Sequence, residues 1–163
     1  MGWKPRDIVK SMVTDALCPI SWRARPRSFT SLMTLYESNF IRLGWLVPGL
    51  RALRGCLRSE VAGGPALELA VVEQCRYTTT INLTYLFGEG EAAVREPGLE
   101  VRVYHDARLA EACSVGPVPT HPSLRRLAAG VRPGRGTRWS CNMLLNKWLE
   151  YCVDSGHRFA LPA

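Results

Sequence analysis

The sequence predicts an α+β domain: an antiparallel four-stranded meander packed against an N-terminal and a C-terminal amphipathic helix. Two observations carry this. Apolar residues recur at helical spacing over residues 28–47 and again over 137–155. Between these segments, from Leu67 to Val115, the period falls to two, as in strands with one buried face. The links between alternating runs are short, so successive strands run antiparallel. The two helices need a surface for their apolar stripes, and one sheet face supplies it. The chain has 163 residues, which fits one domain and a core that needs no staples.

Residues 1–27 read as a basic N-terminal extension to a domain at 28–157, with 158–163 as a tail. Ile8, Val9, Met12, Val13, Ala16 and Leu17 recur at helical spacing, with Lys4, Arg6 and Lys10 on the other side. Such a helix can dock on its own domain, a partner or a membrane surface. Cys18-Pro19 ends it, and a basic linker follows.

Ser28–Val47 is the first firm helix, with Leu32, Tyr36, Phe40, Leu43 and Val47 as its stripe. Ser28 or Thr30 caps it by accepting a bond from a free backbone N–H. Pro48-Gly49 stops it or begins the next turn. A second, short helix is expected with Leu50, Leu53 and Leu57 inward and Arg51, Arg54 and Arg58 as an adjacent basic row. Ala62-Gly-Gly-Pro65 breaks the chain.

From Leu67 to Phe87 the odd positions are mostly apolar and the even ones mostly polar. The run is too long for one strand, so a turn is expected near Glu73–Arg76. Apolar residues keep the same parity on both sides of that turn, which implies an odd-length loop or a bulge. Gly88–Gly98 reads as a loop and Leu99–Tyr104 as the third strand. Arg108–Val115 is a fourth strand, or a helix capped by Asp106. The strand is favoured because Leu109, Cys113 and Val115 keep the odd parity. Gly116–Gly136 is a Pro/Gly/Arg connector. Thr137–Ser155 is a helix with Cys141, Leu145, Trp148 and Cys152 on one stripe, and Gly156 sits where a left-handed C-cap belongs.

Composition limits the function classes. Hydrophobic residues at 47% and charged residues at 21% exclude global disorder. No run approaches the ~20 apolar residues of a membrane span. The net charge of +7 is concentrated: residues 1–27 carry +4 and 121–138 carry +5, so the body is near neutral. That distribution suits a loose grip on an anionic partner, including nucleic acid, better than a dedicated basic groove. The six cysteines form no Cys-x-x-Cys pair, most sit in apolar runs, and no secretory leader is evident, which points to a reducing cytoplasm. His105, His121 and His157 show no metal-ligand spacing with them, and no phosphate-binding loop or cofactor motif occurs.

Two polar clusters interrupt the strands. One is Glu73–Thr78, with Arg76, Tyr77 and Thr78. The other is Tyr104-His105-Asp106, followed by Glu111. Glu73 and Glu111 occupy the parity that is otherwise apolar. A carboxylate facing a core needs a partner, and Arg76, His105 or Arg42 could supply it. The clusters suit a structural polar network, a ligand pocket, or catalysis with His105 as acid/base and Asp106 or Glu111 orienting it. Cys75 and Cys113 are weaker nucleophile candidates.

These same segments resemble the YqiB-like family, small bacterial proteins with a domain of unknown function. The match runs through Met33–Leu43 with Val47-Pro48, Val72–Thr79, Val101–Cys113 and Leu145–Cys152, over about residues 28–157. The Tyr-His-Asp-Ala segment is its most specific part. The resemblance implies a one-domain cytoplasmic bacterial protein without an assigned activity. It carries over Glu37, Asn39, Glu73, Arg76, Tyr77, Thr78, Tyr104, His105, Asp106 and Glu111. The chain departs in its first 27 residues and in Thr120–Ser140, which lacks the family's polar Tyr-Pro-Asn motif. The expectation is a non-enzymatic binding or regulatory protein, with Glu73, Arg76, Tyr77, Thr78, Tyr104 and His105 meeting a protein partner or an acidic small molecule. The alternatives are a hydrolase or transferase using His105, and weak nucleic-acid binding through the arm and connector.

Overall fold

A computed structural model describes residues 27–88, 90–116, 120–127 and 137–160. They form helix α1 (Phe29–Leu46), a 3-10 turn (Leu50–Ala52), strands β1 (Cys56–Ser59), β2 (Ala66–Gln74) and β3 (Thr78–Phe87), and a second 3-10 turn (Gly90–Ala92). Strands β4 (Val94–Tyr104) and β5 (Leu109–Val115) follow, then helices α2 (Pro122–Leu127) and α3 (Thr137–Asp154). The sheet order is β1-β2-β3-β4-β5 with every neighbouring pair antiparallel. The α+β meander is as expected, with five strands in place of four. The predicted helix at residues 8–17 and the connector residues 117–119 and 128–136 lie outside the described residues.

The extra strand comes from the expected second helix. Leu50 and Leu53 are buried as predicted, but the chain completes only one 3-10 turn. Gly55, at φ +71, then turns it into β1. Leu57 therefore lies on a strand, and the predicted arginine row divides. Arg58 pairs with Glu60 at 3.2 Å, while Arg51 and Arg54 stay at the turn.

Turn length decides which side chains face the core. The β2–β3 turn lies where expected, and its last ladder pair, Gln74 with Thr79, joins positions of opposite parity. A bulge between Val71 and Glu73 then restores odd-with-odd pairing, from Val71 with Ile81 to Leu67 with Tyr85. The shift takes Glu73 off the core face, and it is exposed. The expected buried carboxylate at Glu73 is thus corrected.

β5 is a strand, as favoured, but with the other parity. The four-residue turn His105–Arg108 pairs Tyr104 with Leu109, again opposite in parity. Ala110 and Ala112 therefore enter the core, Cys113 is exposed and Glu111 faces outward, half-buried. The expectation that Glu111 faces the core is corrected for this reason. β4 starts at Val94, earlier than expected, because a bulge opposite Leu83–Tyr85 accommodates Pro97, which lacks an N–H, and Gly98.

The core lies between one sheet face and the two long helices. Leu69, Leu83, Tyr85, Leu99 and Val101 meet Leu43 and Leu46 of α1 and Leu145, Trp148 and Cys152 of α3. Ser28 caps α1, its Oγ accepting from Ser31 N at 3.1 Å. The α1 stripe is centred slightly differently from its prediction, because Leu35, Asn39 and Leu46 are also buried. Gly44 lies inside α1, where glycine costs about 0.5–1 kcal/mol relative to alanine. A Cβ at Gly44 would meet nothing within 4 Å. At the other end Gly156 takes the expected left-handed conformation, φ +91, and His157 N donates to Cys152 O. Phe159, placed by sequence in the tail, is buried, with its N–H donating to Leu46 O at 2.9 Å.

A buried amide network closes the free edge of β5. Asn142 Oδ1 accepts from Ala112 N at 2.8 Å, and Asn39 Nδ2 donates to Ala110 O at 3.3 Å and to Asn142 Oδ1 at 3.2 Å. Asn146 Nδ2 donates to Asn39 Oδ1 and Ser38 Oγ, and Asn142 Nδ2 donates to Arg138 O. Each unsatisfied group would cost desolvation energy in this dry interface.

Replacing Asn142 with Ala leaves the Ala112 N–H without its acceptor and takes one of two acceptors from Asn39 Nδ2. Urea unfolding should show a loss of about 1–3 kcal/mol. A second prediction concerns pH. His157 is buried beside Ser59 Oγ (Nδ1 to Oγ 3.1 Å), its Nε2 has no hydrogen-bond partner among the described residues, and burial pushes its pKa down. The unfolded chain, with an ordinary imidazole near 6.5, then binds more protons than the folded one. His157 therefore contributes stability that is present above that pH and lost as pH falls through and below it. Thermal midpoints measured from pH 7.5 to 5 should fall, and His157→Asn should flatten the slope.

Candidate functional site

The β2–β3 and β4–β5 turns lie side by side at one end of the sheet, because β3 and β4 are neighbours and Thr78 pairs with Tyr104. His105 N donates to Tyr77 O at 2.9 Å, and His105 Nε2 lies 2.7 Å from Thr79 Oγ1. The Arg76 guanidinium sits 5.3 Å from the centroid of the Tyr77 ring, in cation–π range. The fold thus brings together Arg76, Tyr77, Thr78, Tyr104 and His105, with Glu73 on the adjoining bulge.

The turn between α1 and β1 completes this end. Arg51 Nη2 donates to Arg76 O at 3.1 Å, and Gln74 Nε2 donates to Arg51 O at 2.7 Å. Arg54 Nη1 donates to Leu53 O at 2.8 Å. Arg51, Arg54 and Arg76 line a groove of about 490 Å³ along β2, together with Val72, Glu73 and Gln74. A second hollow of about 210 Å³ lies between α1 and this turn, lined by Phe40, Leu43, Gly44, Val47, Leu50 and His105. Arg51 lines both. The sequence showed Arg51 and Arg54 only as part of a helical row, and their part at this site was missed. The available signal was the Gly49 and Gly55 pair, which brackets a turn carrying both arginines.

The cations dominate locally. Ion pairs among the described residues join Arg42 to Glu150, Arg58 to Glu60 and Arg95 to Glu68. Arg51, Arg54 and Arg76 have no carboxylate within ion-pair distance among those residues. Burial pushes the His105 pKa down, the Arg51 charge pushes it further, and Asp106 opposes both.

The predicted acid/base set is not assembled. Asp106 Oδ1 accepts from Ala107 N at 2.9 Å, and Glu111 Oε1 accepts from Tyr104 OH at 2.7 Å on the outward sheet face. Neither is hydrogen-bonded to His105. Arg42 is taken by Glu150 at 3.4 Å and partners neither Glu73 nor Glu111. Glu111 and burial also hold Tyr36 and Tyr104 above the usual phenol range. Cys56, Cys75 and Cys113 are exposed, although most of the cysteines sit in apolar runs of the sequence. Burial and Glu111 push the Cys113 thiol up, away from a reactive thiolate. Among the described residues no group of three His, Cys, Asp or Glu is gathered to hold a metal ion, and no helix is long and apolar enough to cross a membrane. What the geometry offers is anion binding by guanidinium groups, which suit carboxylate and phosphate.

A family model described as a protein of unknown function (DUF1249) matches residues 42–158, which include the arginine turn, both hairpin turns and α3. The uncharacterized protein YqiB of Escherichia coli K12 is 30% identical over 134 residues, covering 82% of this chain and 94% of that protein. The YqiB proteins of E. coli O6:H1 and O157:H7 match with the same figures. No solved structure matches the chain.

The electrostatics of this end can be read from one imidazole. Arg51→Gln should raise the His105 pKa and Asp106→Asn should lower it, since each removes the charge named above. An NMR titration of the His105 ring protons measures both shifts.

Proposed function

The chain belongs to the DUF1249 family, a family of unknown function, and on that premise we propose a non-enzymatic binding or regulatory protein that holds an acidic partner at the end of its sheet. The observation that carries this reading is the groove with Arg51, Arg54 and Arg76, three guanidinium groups that meet backbone carbonyls or the Tyr77 ring and, among the described residues, no carboxylate within ion-pair distance. An anion there gains charge-assisted hydrogen bonds, while Glu73 in the same groove selects against partners that place a carboxylate beside it. Tyr77, Thr78 and His105, at the adjoining turns, are proposed to extend the contact surface, with Tyr104 beside them on the outward face of the sheet. The partner is an acidic small molecule or an acidic segment of a protein. The reading assumes a bacterial cytoplasm, supported by the E. coli relatives and by cysteines that are all free among the described residues.

A hydrolase or transferase reading has less to stand on, because the His105 ring is bonded to Thr79 and not to a carboxylate. Nucleic-acid binding through the arm and the connector rests on residues that are largely outside the described ones.

Calorimetric titration with inorganic phosphate and with citrate, at low salt, tests the proposal. The wild type should bind, and Arg54→Gln with Arg76→Gln should weaken binding at least tenfold. No binding by the wild type, or equal binding by the double variant, overturns it.

A further inference from the structure

We infer that the sheet end takes a small organic anion, with its charged head at Arg51 and a short apolar body in the hollow beside α1. The inference rests on the anion-binding reading above and names its ligand class. The hollow is apolar on α1 and on the turn, through Phe40, Leu43, Val47 and Leu50, and polar only at Arg51 and His105. A wholly hydrophilic anion such as phosphate leaves this wall in water. A neutral hydrocarbon leaves the guanidinium groups unanswered. An amphiphile with one carboxylate or phosphate satisfies both.

Three further features support that class. Arg51 lines both the hollow and the arginine groove, so a head and a body held by the two spaces meet at one residue. The Arg108 guanidinium lies 6.0 Å from the centroid of the Phe40 ring, a second cation in contact with a residue that lines the hollow. Arg108 also has no carboxylate within ion-pair distance among the described residues. Gly44 is an exposed interior helix position on the rim of the hollow, where packing does not require glycine, since a Cβ would meet nothing within 4 Å. At about 210 Å³ the hollow is smaller than the ~300 Å³ at which drug-sized pockets begin, so the body is fragment-sized, such as a short alkyl chain or one ring.

The probes are octanoate, acetate and octanol at matched ionic strength, with inorganic phosphate alongside, read by calorimetry and by amide NMR shifts. Octanoate should bind at least tenfold tighter than acetate and tenfold tighter than octanol. Gly44→Leu adds a bulky, better helix former at the rim of the hollow. Its urea midpoint should be unchanged or higher, its octanoate binding lost and its phosphate binding retained. Arg51→Gln should weaken octanoate and phosphate together. Phosphate binding with octanoate no tighter than acetate overturns this inference and leaves the anion site standing. So does octanoate binding that a folded Gly44→Leu protein retains. Failure of both phosphate and octanoate to bind the wild type overturns this inference and the anion site together.

Discussion

The edge of β5 sets the terms for the rest of the molecule. β5 ends the sheet, so its outer backbone groups have no strand to pair with. They are also covered by α1 and α3, which removes water as a partner. Ala112 N–H and Ala110 C=O are instead met by Asn142 and Asn39, one from each helix. The amides bond to each other as well, so the spacing of α1, α3 and β5 is specified by hydrogen-bond geometry and not by apolar contact alone. A buried amide tolerates few alternative positions, whereas leucine stripes tolerate many. The small side chains of Ala110 and Ala112 let the helices approach closely enough for these bonds.

That anchoring has consequences at the other end of the helix. α1 runs from Ser28, past Asn39, to the arginine turn. Fixing Asn39 against β5 places Phe40, Leu43 and Gly44 beside His105, which follows directly from β4. The turn after α1 is held in turn by backbone acceptors: Arg51 reaches Arg76 O, and Gln74 reaches Arg51 O. These neutral contacts orient the arginines without neutralising them. The positive field at His105 is the electrostatic trace of that arrangement, with the imidazole held down by burial first and by Arg51 second.

A second polar lock ties the connector to the sheet. Glu96, buried at the β3–β4 irregularity, accepts from Thr120 N, Thr120 Oγ1 and His121 N, all at 2.7–2.9 Å. Burial works against its charge, but these donors outweigh that effect and hold its carboxyl below the usual range. His121 stacks on Phe87, with ring centroids 3.9 Å apart. The start of α2 is therefore fixed by a carboxylate that sequence reading placed in a loop.

Periodicity and end signals by themselves determined the main elements: two long helices, a meander between them, a cap at Ser28 or Thr30 and the Gly156 stop. These are local properties of backbone conformation and side-chain spacing, so they are legible without tertiary context. The nearness of the turns that carry Arg76 and His105 was also legible, because alternate turns of an antiparallel meander lie at the same end of the sheet. Face assignment was not. It depends on whether each turn and bulge has an odd or even count, and a single residue at Val72 or in the His105–Arg108 turn reverses it, as Glu73 and Glu111 demonstrate. Nor could the sequence reveal that Arg51 and Arg54 belong with Arg76, some 25 residues away in the chain. Only the packing of the turn against the β2–β3 hairpin brings those charges together, since no local rule relates residues that far apart.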